Sequence, residues 1–222
     1  LYAFPKTVPI MVGYVFLGMA YGILMSVNGF GVFWAALNSL LVYTGSLEFI
    51  GVNFLAAAVS PVTAFVMALM ICARHIFYGL SMLGKYQNVS KKLKPYLIFA
   101  LTDETFSIVC EEEPPETISR EWMYFWMSLL DQMYWIAGSV MGAALGNVIT
   151  FNTKGLDFAL TALFVMIFTE QWIGQKRHWP AVTGVVCSVI CLKLFGQSAF
   201  IIPTMIAILA VSAIVYKKEN QK

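Results

Sequence analysis

The sequence predicts an all-α integral membrane protein, a polytopic helical bundle, on three observations. Of its 222 residues 59% are hydrophobic and 12% charged, against about 25% charged in an average soluble domain. The apolar residues fall in runs that reach the roughly 20 that a helix needs to cross a bilayer, without the alternation over about 10 residues expected of a barrel strand. The run 31–59 is broken by a polar knot, Tyr43-Thr44-Gly45-Ser46-Leu47-Glu48-Phe49. Backbone that departs from helix is tolerated in hydrocarbon only where protein or a water-filled cavity receives its polar groups, so the knot predicts a cavity with Glu48 in it. The plainer alternative is a kinked helix in which Glu48 pairs with a neighbour. The longest polar stretches, 84–95 and 111–120, are loop-sized, and the chain reads as one transmembrane domain, 1–222.

Residues 9–26 form the first span; 8–24 lacks a small-residue cleavage site before a soluble body and reads as retained. Gly13, Gly18 and Gly22 leave one flank of this helix with little side chain, which predicts a close helix crossing. Segment 31–59 is too long for one simple crossing and splits at Gly45-Ser46, predicting a re-entrant pair of half-helices. Residues 61–83 are a span with Arg74-His75 about midway, followed by a basic loop, 84–95, expected in the cytoplasm. Residues 96–110 read as a short span interrupted by Thr102-Asp103-Glu104-Thr105, and the acidic, proline-stopped 111–116 as an outer loop. The span 122–146 carries Asp131 in its first half; Gly138, Gly142 and Gly146, spaced by four, stack on one face. One of the two glycine faces is expected to pack against the other repeat or another subunit. Segment 155–172, ending near Glu170, reads as a second re-entrant piece, and 180–195 (with Lys193) and 199–216 as the last spans.

An internal repeat is expected with halves 1–118 and 119–222. A shift of 124 matches Gly18 with Gly142, Gly22 with Gly146 and Gly31 with Gly155; a shift of 119 matches Pro61 with Pro180 and Cys72 with Cys191. Lysine and arginine placement sets its handedness. If all eight apolar segments cross, basic residues number 5 inside and 7 outside. If 31–59 and 155–172 are re-entrant, the count becomes 11 inside and 1 outside, as the positive-inside rule demands. The outcome is six spans plus two re-entrant broken segments, an inverted repeat of the kind used for alternating access. The loop 84–95, the loop 175–179 and the C-terminus are then cytoplasmic, and 111–116 lies outside.

Enzyme chemistry finds no support: there is no His-Glu-x-x-His pattern, no Gly-x-Ser-x-Gly elbow, no phosphate loop and only two histidines. No cofactor is implied. The four cysteines lie in apolar stretches without metal-type spacing, so no metal site is expected. Basic residues hug membrane ends without interleaved aromatics, which argues against nucleic acid. The candidate substrate-binding or proton-coupling residues are the polar groups inside apolar runs: Thr44, Gly45, Ser46, Glu48, Arg74, His75, Asp103, Glu104 and Asp131. Each ionisable one is costly in lipid unless it faces a cavity or a partner. The fork of Arg74 suits a carboxylate, whether a substrate's or that of Glu48 or Asp103. His75 either relays protons or simply hydrogen-bonds a carbonyl. Asp103-Glu104 either accept an ammonium or a proton, or cap a helix at the membrane rim. Asp131-Gln132 with Tyr134-Trp135 read either as part of the site or as outer-interface belt residues.

Together Val12-Gly13-Tyr14, Thr44-Gly45-Ser46-Leu47-Glu48-Phe49, Arg74-His75-Ile76-Phe77-Tyr78-Gly79, Thr102-Asp103-Glu104-Thr105 and Asp131-Gln132-Met133-Tyr134-Trp135 resemble the AzlC-type branched-chain amino-acid permeases over nearly the whole chain. Two residues depart from the family pattern, which usually has Gln at the place of Glu48 and Asn at that of Cys72. The resemblance implies export of branched-chain and similar neutral amino acids (Leu, Ile, Val, Met) from a bacterial cytoplasm across the inner membrane. It also implies a small membrane subunit of the AzlD type as partner. A passive channel for a small solute or ion is the competing reading.

Overall fold

The structure, a computed structural model, describes residues 2–146, 158, 161, 162, 165, 168, 169, 172, 173, 178–196 and 200–219. The expectations for the re-entrant segment 155–172, for Glu170 and for most of the loop 175–179 lie outside the described residues. All regular structure among the described residues is helical. The chain forms two compact units, Leu1–Thr161 and Ala162–Lys222.

The first unit is built on α1 (Ala3–Val27) and α7 (Arg120–Gly146). Between them in the chain come α2 (Val32–Leu41), α3 (Gly45–Ala56), α4 (Pro61–Met82), α5 (Lys94–Phe99) and α6 (Asp103–Glu111). With 25 and 22 residues and mean hydropathies of 1.9 and 1.6, α1 and α4 are long and apolar enough to cross a membrane. α7 has 27 residues, about 40 Å of helix.

The two glycine faces meet each other. A Cβ on Gly18 would lie 2.9 Å from the Trp135 carbonyl oxygen, one on Gly22 would lie 2.1 Å from that of Ser139, and one on Gly142 would lie 2.1 Å from that of Met19. Backbone touches backbone along this line, a contact open only to residues without a side chain. The pairing climbs in step, from Val15 with Gly138 to Ser26 with Gly146, so α1 and α7 run parallel. The shift of 124 pairs these same helices, and inverted halves would set them antiparallel. An inverted repeat of 1–118 on 119–222 is therefore corrected at this pair.

One end of the unit is fixed by contacts among the start of α1, the end of α4, the end of α6 and the start of α7. Ala3, Met82, Tyr86, Val89, Val109, Met123 and Tyr124 share one core cluster there. Lys6 pairs with Glu112 at 3.1 Å, Lys85 with Glu113 at 3.3 Å, and Arg120 with Glu113 at 2.7 Å. Tyr2 also donates to Glu112, and that hydrogen bond, aided by Lys6, holds the Glu112 carboxyl below its ordinary range. Residues 84–95 and 111–116 thus lie at the same end, a correction to the reading that set them on opposite sides. Residues 96–110 do not cross; α5 enters the bundle, the chain breaks at Ala100-Leu101-Thr102, and α6 returns to the end it came from. The cause is local, since Thr102 caps α6 by accepting from the Thr105 N–H at 3.3 Å and so starts a new helix rather than continuing α5.

α2 and α3 behave likewise from the other end. α1 delivers the chain there, and α4, about 33 Å long with Met82 at the first end, must begin there too. The pair therefore enters and leaves by one end, as the re-entrant reading of 31–59 expects, with the break at Val42-Tyr43-Thr44 and with Gly45 and Ser46 opening α3. Tyr43 sits there at φ 43° while 2% exposed, a left-handed conformation costing a non-glycine residue about 1–2 kcal/mol. On α4, Ser60 caps with Pro61 at the first position, its hydroxyl accepting from the Thr63 N–H at 3.2 Å.

In the second unit α8 (Trp179–Phe195) packs on α9 (Ile201–Glu219). Lys193 lies in the last turn of α8, where the carbonyl end of the helix favours a cation.

Candidate functional site

The two chain breaks are brought together by one arginine. Arg74, on α4, donates through Nη2 to Ser46 Oγ at 2.8 Å and pairs with Asp103 Oδ2 at 2.9 Å. Ser46 lies in the first turn of α3 and Asp103 in the first turn of α6, so a single guanidinium bridges the amino ends of two half-helices. Asp103 also accepts from the Tyr78 hydroxyl, one turn along α4 from Arg74. Of the two carboxylates open to Arg74 in the sequence, Asp103 is the partner found.

Glu48 has a different setting. It is fully buried, and its Oε2 accepts from the indole Nε1 of Trp135 at 2.7 Å, while Oε1 has no hydrogen-bond partner. Trp135 is 3% exposed, stacked on Tyr21 at 6.2 Å and edge-on to Tyr14 at 5.4 Å. It is part of the core rather than a belt residue, which corrects that alternative. Gly45 makes room for it: a Cβ there would come within 3.0 Å of Trp135 Cη2. Ser39 and Ser139 join α2 to α7 beside this group with a hydrogen bond of 2.9 Å.

Asp131 is also fully buried; Oδ2 accepts from Thr105 at 2.8 Å and Oδ1 has no partner. Glu104 accepts from Tyr14 at 2.7 Å, and Tyr14 lies 2.6 Å from Thr102 Oγ1. Neither Asp103 nor Glu104 sits at a rim; both open α6 inside the bundle, where acidic groups complement the positive end of a helix. His75 donates from Nδ1 to the Cys72 carbonyl at 3.1 Å, the local bond that the plain reading of a helical histidine supplies. Thr44 precedes α3 without capping it; its hydroxyl turns back to the Val42 carbonyl at 3.3 Å. The first turn of α3 thus receives no side-chain cap.

The structure therefore gathers Ser46, Arg74 and Asp103 into one contact group and Glu104 and Asp131 into another, with Glu48 held separately by Trp135. Residue-by-residue reading passed over Tyr14, Tyr78, Trp135, Thr102 and Thr105 as functional partners. Aromatic residues inside apolar runs carry no polar signal, and the two threonines flanking Asp103-Glu104 read in the sequence as part of one polar quartet.

A family model described as AzlC protein matches residues 9–149. The chain is 47% identical to the branched-chain amino acid transport protein AzlC of Bacillus subtilis (strain 168), over 97% of this chain and 84% of that protein. It is 43% identical to an uncharacterized membrane protein of Haemophilus influenzae, over 92% of this chain and 84% of that one. The inner membrane protein YgaZ of Escherichia coli (strain K12) is 26% identical over 92% of this chain and 82% of its own length. No solved structure matches the chain.

Proposed function

The chain belongs to the AzlC family, and from that premise we propose that it exports branched-chain and similar neutral amino acids across a bacterial cytoplasmic membrane. Export is coupled to protons and runs with a small AzlD-type membrane subunit. The observation that carries the reading is the bridge from Arg74 to Ser46 and Asp103, which joins two half-helix amino ends deep in the first unit. An amino acid is a zwitterion and needs a cation and an anion a few ångströms apart. Arg74 and the uncapped first turn of α3 offer the substrate carboxylate a charged fork and free N–H donors. Asp103 offers its ammonium a counter-charge. In the structure these two residues satisfy each other, and a bound substrate takes the place of each with respect to the other.

Two broken pairs entering from opposite ends supply the means of alternation, because broken helices around a midplane site are how many carriers expose it to each face in turn. Specificity among leucine, isoleucine, valine and methionine is expected to be broad, since a methylene in an apolar pocket discriminates by only about 1–3 kcal/mol.

The test is leucine counterflow into liposomes holding the purified chain with its small subunit. A carrier gives saturable uptake that unlabelled valine competes away and that is absent in Arg74→Ala. Uptake linear with concentration and indifferent to Arg74 would instead favour a channel and end this reading.

A further inference from the structure

We propose that Glu104 and Asp131 are the two ends of a proton wire through the hydroxyls of Tyr14, Thr102 and Thr105, and that the two carboxyls hold one proton between them. The wire's part in transport rests on the function proposed above; its existence rests on geometry. Glu104 is half-buried and Asp131 fully buried. Between them run four oxygen–oxygen contacts: Glu104 to Tyr14 at 2.7 Å, Tyr14 to Thr102 at 2.6 Å, Thr102 to Thr105 at 3.1 Å, and Thr105 to Asp131 at 2.8 Å. Three hydroxyls bring three protons. Four contacts need four, because a short contact between two oxygens with no proton between them is repulsive. The fourth proton comes from a carboxyl, and the four contacts along the wire take one such proton.

Two further groups point to the buried end as a place where a proton arrives. Asp131 Oδ1 has no hydrogen-bond partner. The Tyr43 hydroxyl, at the break between α2 and α3, is buried beside Thr105 and faces Asp131. The other ionisable groups facing the two carboxyls are Tyr14 on α1, Arg74 on α4, Tyr96 on α5 and Asp103 on α6.

Transfer along the wire balances at every atom. The Glu104 O–H breaks as its proton joins the Tyr14 oxygen. The Tyr14 proton passes to Thr102, the Thr102 proton to Thr105, and the Thr105 proton to the Asp131 carboxylate. Each hydroxyl loses one proton and gains one, and the negative charge moves from Asp131 to Glu104. The hydroxyls then point the other way, and the return step is the same sequence reversed.

The experiment has two arms on the purified chain with its small subunit. Infrared spectroscopy at neutral pH reads the carboxylic-acid C=O stretch. One band lost in both Glu104→Gln and Asp131→Asn is expected; a spectrum in which neither change removes a band, or each removes a separate one, overturns the shared proton. In liposomes, Thr105→Val removes the hydroxyl and nearly keeps the shape, and Thr105→Ser restores it. The expected result is that Thr105→Val keeps leucine counterflow but loses efflux driven by a pH gradient, and that Thr105→Ser recovers it. Gradient-driven efflux equal to wild type in Thr105→Val overturns the relay. If the wild-type protein shows no counterflow, the transport reading fails by itself and the infrared arm alone decides the shared proton.

Discussion

Glu48 in the first turn of α3 and Arg74 inside α4 both interrupt apolar sequence, yet each answers to a different partner. Glu48 accepts from the Trp135 indole, whereas Arg74 is held by Ser46 and Asp103. Glu48 and Asp103 should therefore respond differently to amide replacement. In Glu48→Gln the amide oxygen still accepts from the indole and no cation is stranded, so thermal stability should stay within about 1 kcal/mol of wild type. In Asp103→Asn the guanidinium loses its counter-charge; with Arg74 29% and Asp103 17% exposed, the loss should be about 2–3 kcal/mol, below that of a fully buried pair. Detergent unfolding of both variants reads the difference, and equal losses would mean that Glu48 carries an unseen structural partner. That Glu48 and Arg74 each need a partner within the protein was legible in the sequence, because charge inside an apolar run admits few explanations. Which partner each takes was not, since it depends on two helix breaks meeting across 28 and 29 residues of chain.

At the scale of elements, the spacing of glycines by four announced a close crossing, and the structure supplies both of its sides in α1 and α7. The packing makes sharp demands at some glycines and none at others. A Cβ on Gly142 would meet the Met19 backbone at 2.1 Å, while one on Gly13 would meet nothing within 4 Å. Gly142→Ala should lower stability by about 1–3 kcal/mol through overpacking. Gly13→Ala should leave it unchanged or raise it, because alanine is the better helix former by about 1 kcal/mol. Thermal unfolding of the two variants side by side tests the crossing, and a harmless Gly142→Ala would show that the helices stand farther apart. The α5–α6 pair was the element misread. Its apolar length suits a short span, and the capping Thr102 that ends the crossing looks in sequence like one more polar residue in a charged quartet.

For the first unit as a whole, side and charge now agree better than the sequence reading allowed. With α5–α6 returning to its own end, Lys6, Lys85, Lys91, Lys92, Lys94 and Arg120 all gather at that end, while the connectors 28–31 and 57–60 at the other end carry no lysine or arginine. Arg120, the single basic residue that the six-span reading left outside, joins the rest. By the positive-inside rule this end is expected to face the cytoplasm. In a variant with the native cysteines replaced, single cysteines at Lys91 and Glu116 should both be labelled by an impermeant thiol reagent from the cytoplasmic face of inverted vesicles, and a cysteine at Ala57 only from outside intact cells. All three positions are exposed. Opposite labelling of 91 and 116 would require 94–111 to cross the bilayer, which would pull Lys85 from Glu113 and separate the first turn of α6 from Arg74. The same geometry sets the terms of any transport cycle. α2–α3 with α4 and α5–α6 with α7 are two broken pairs, each followed by a long helix, entering from opposite ends, and Arg74 is tied to the first turn of both. A motion that opens the site toward one face must release Arg74 from one pair and keep it on the other, so cysteine labelling near the breaks should change with substrate only while Arg74 is present.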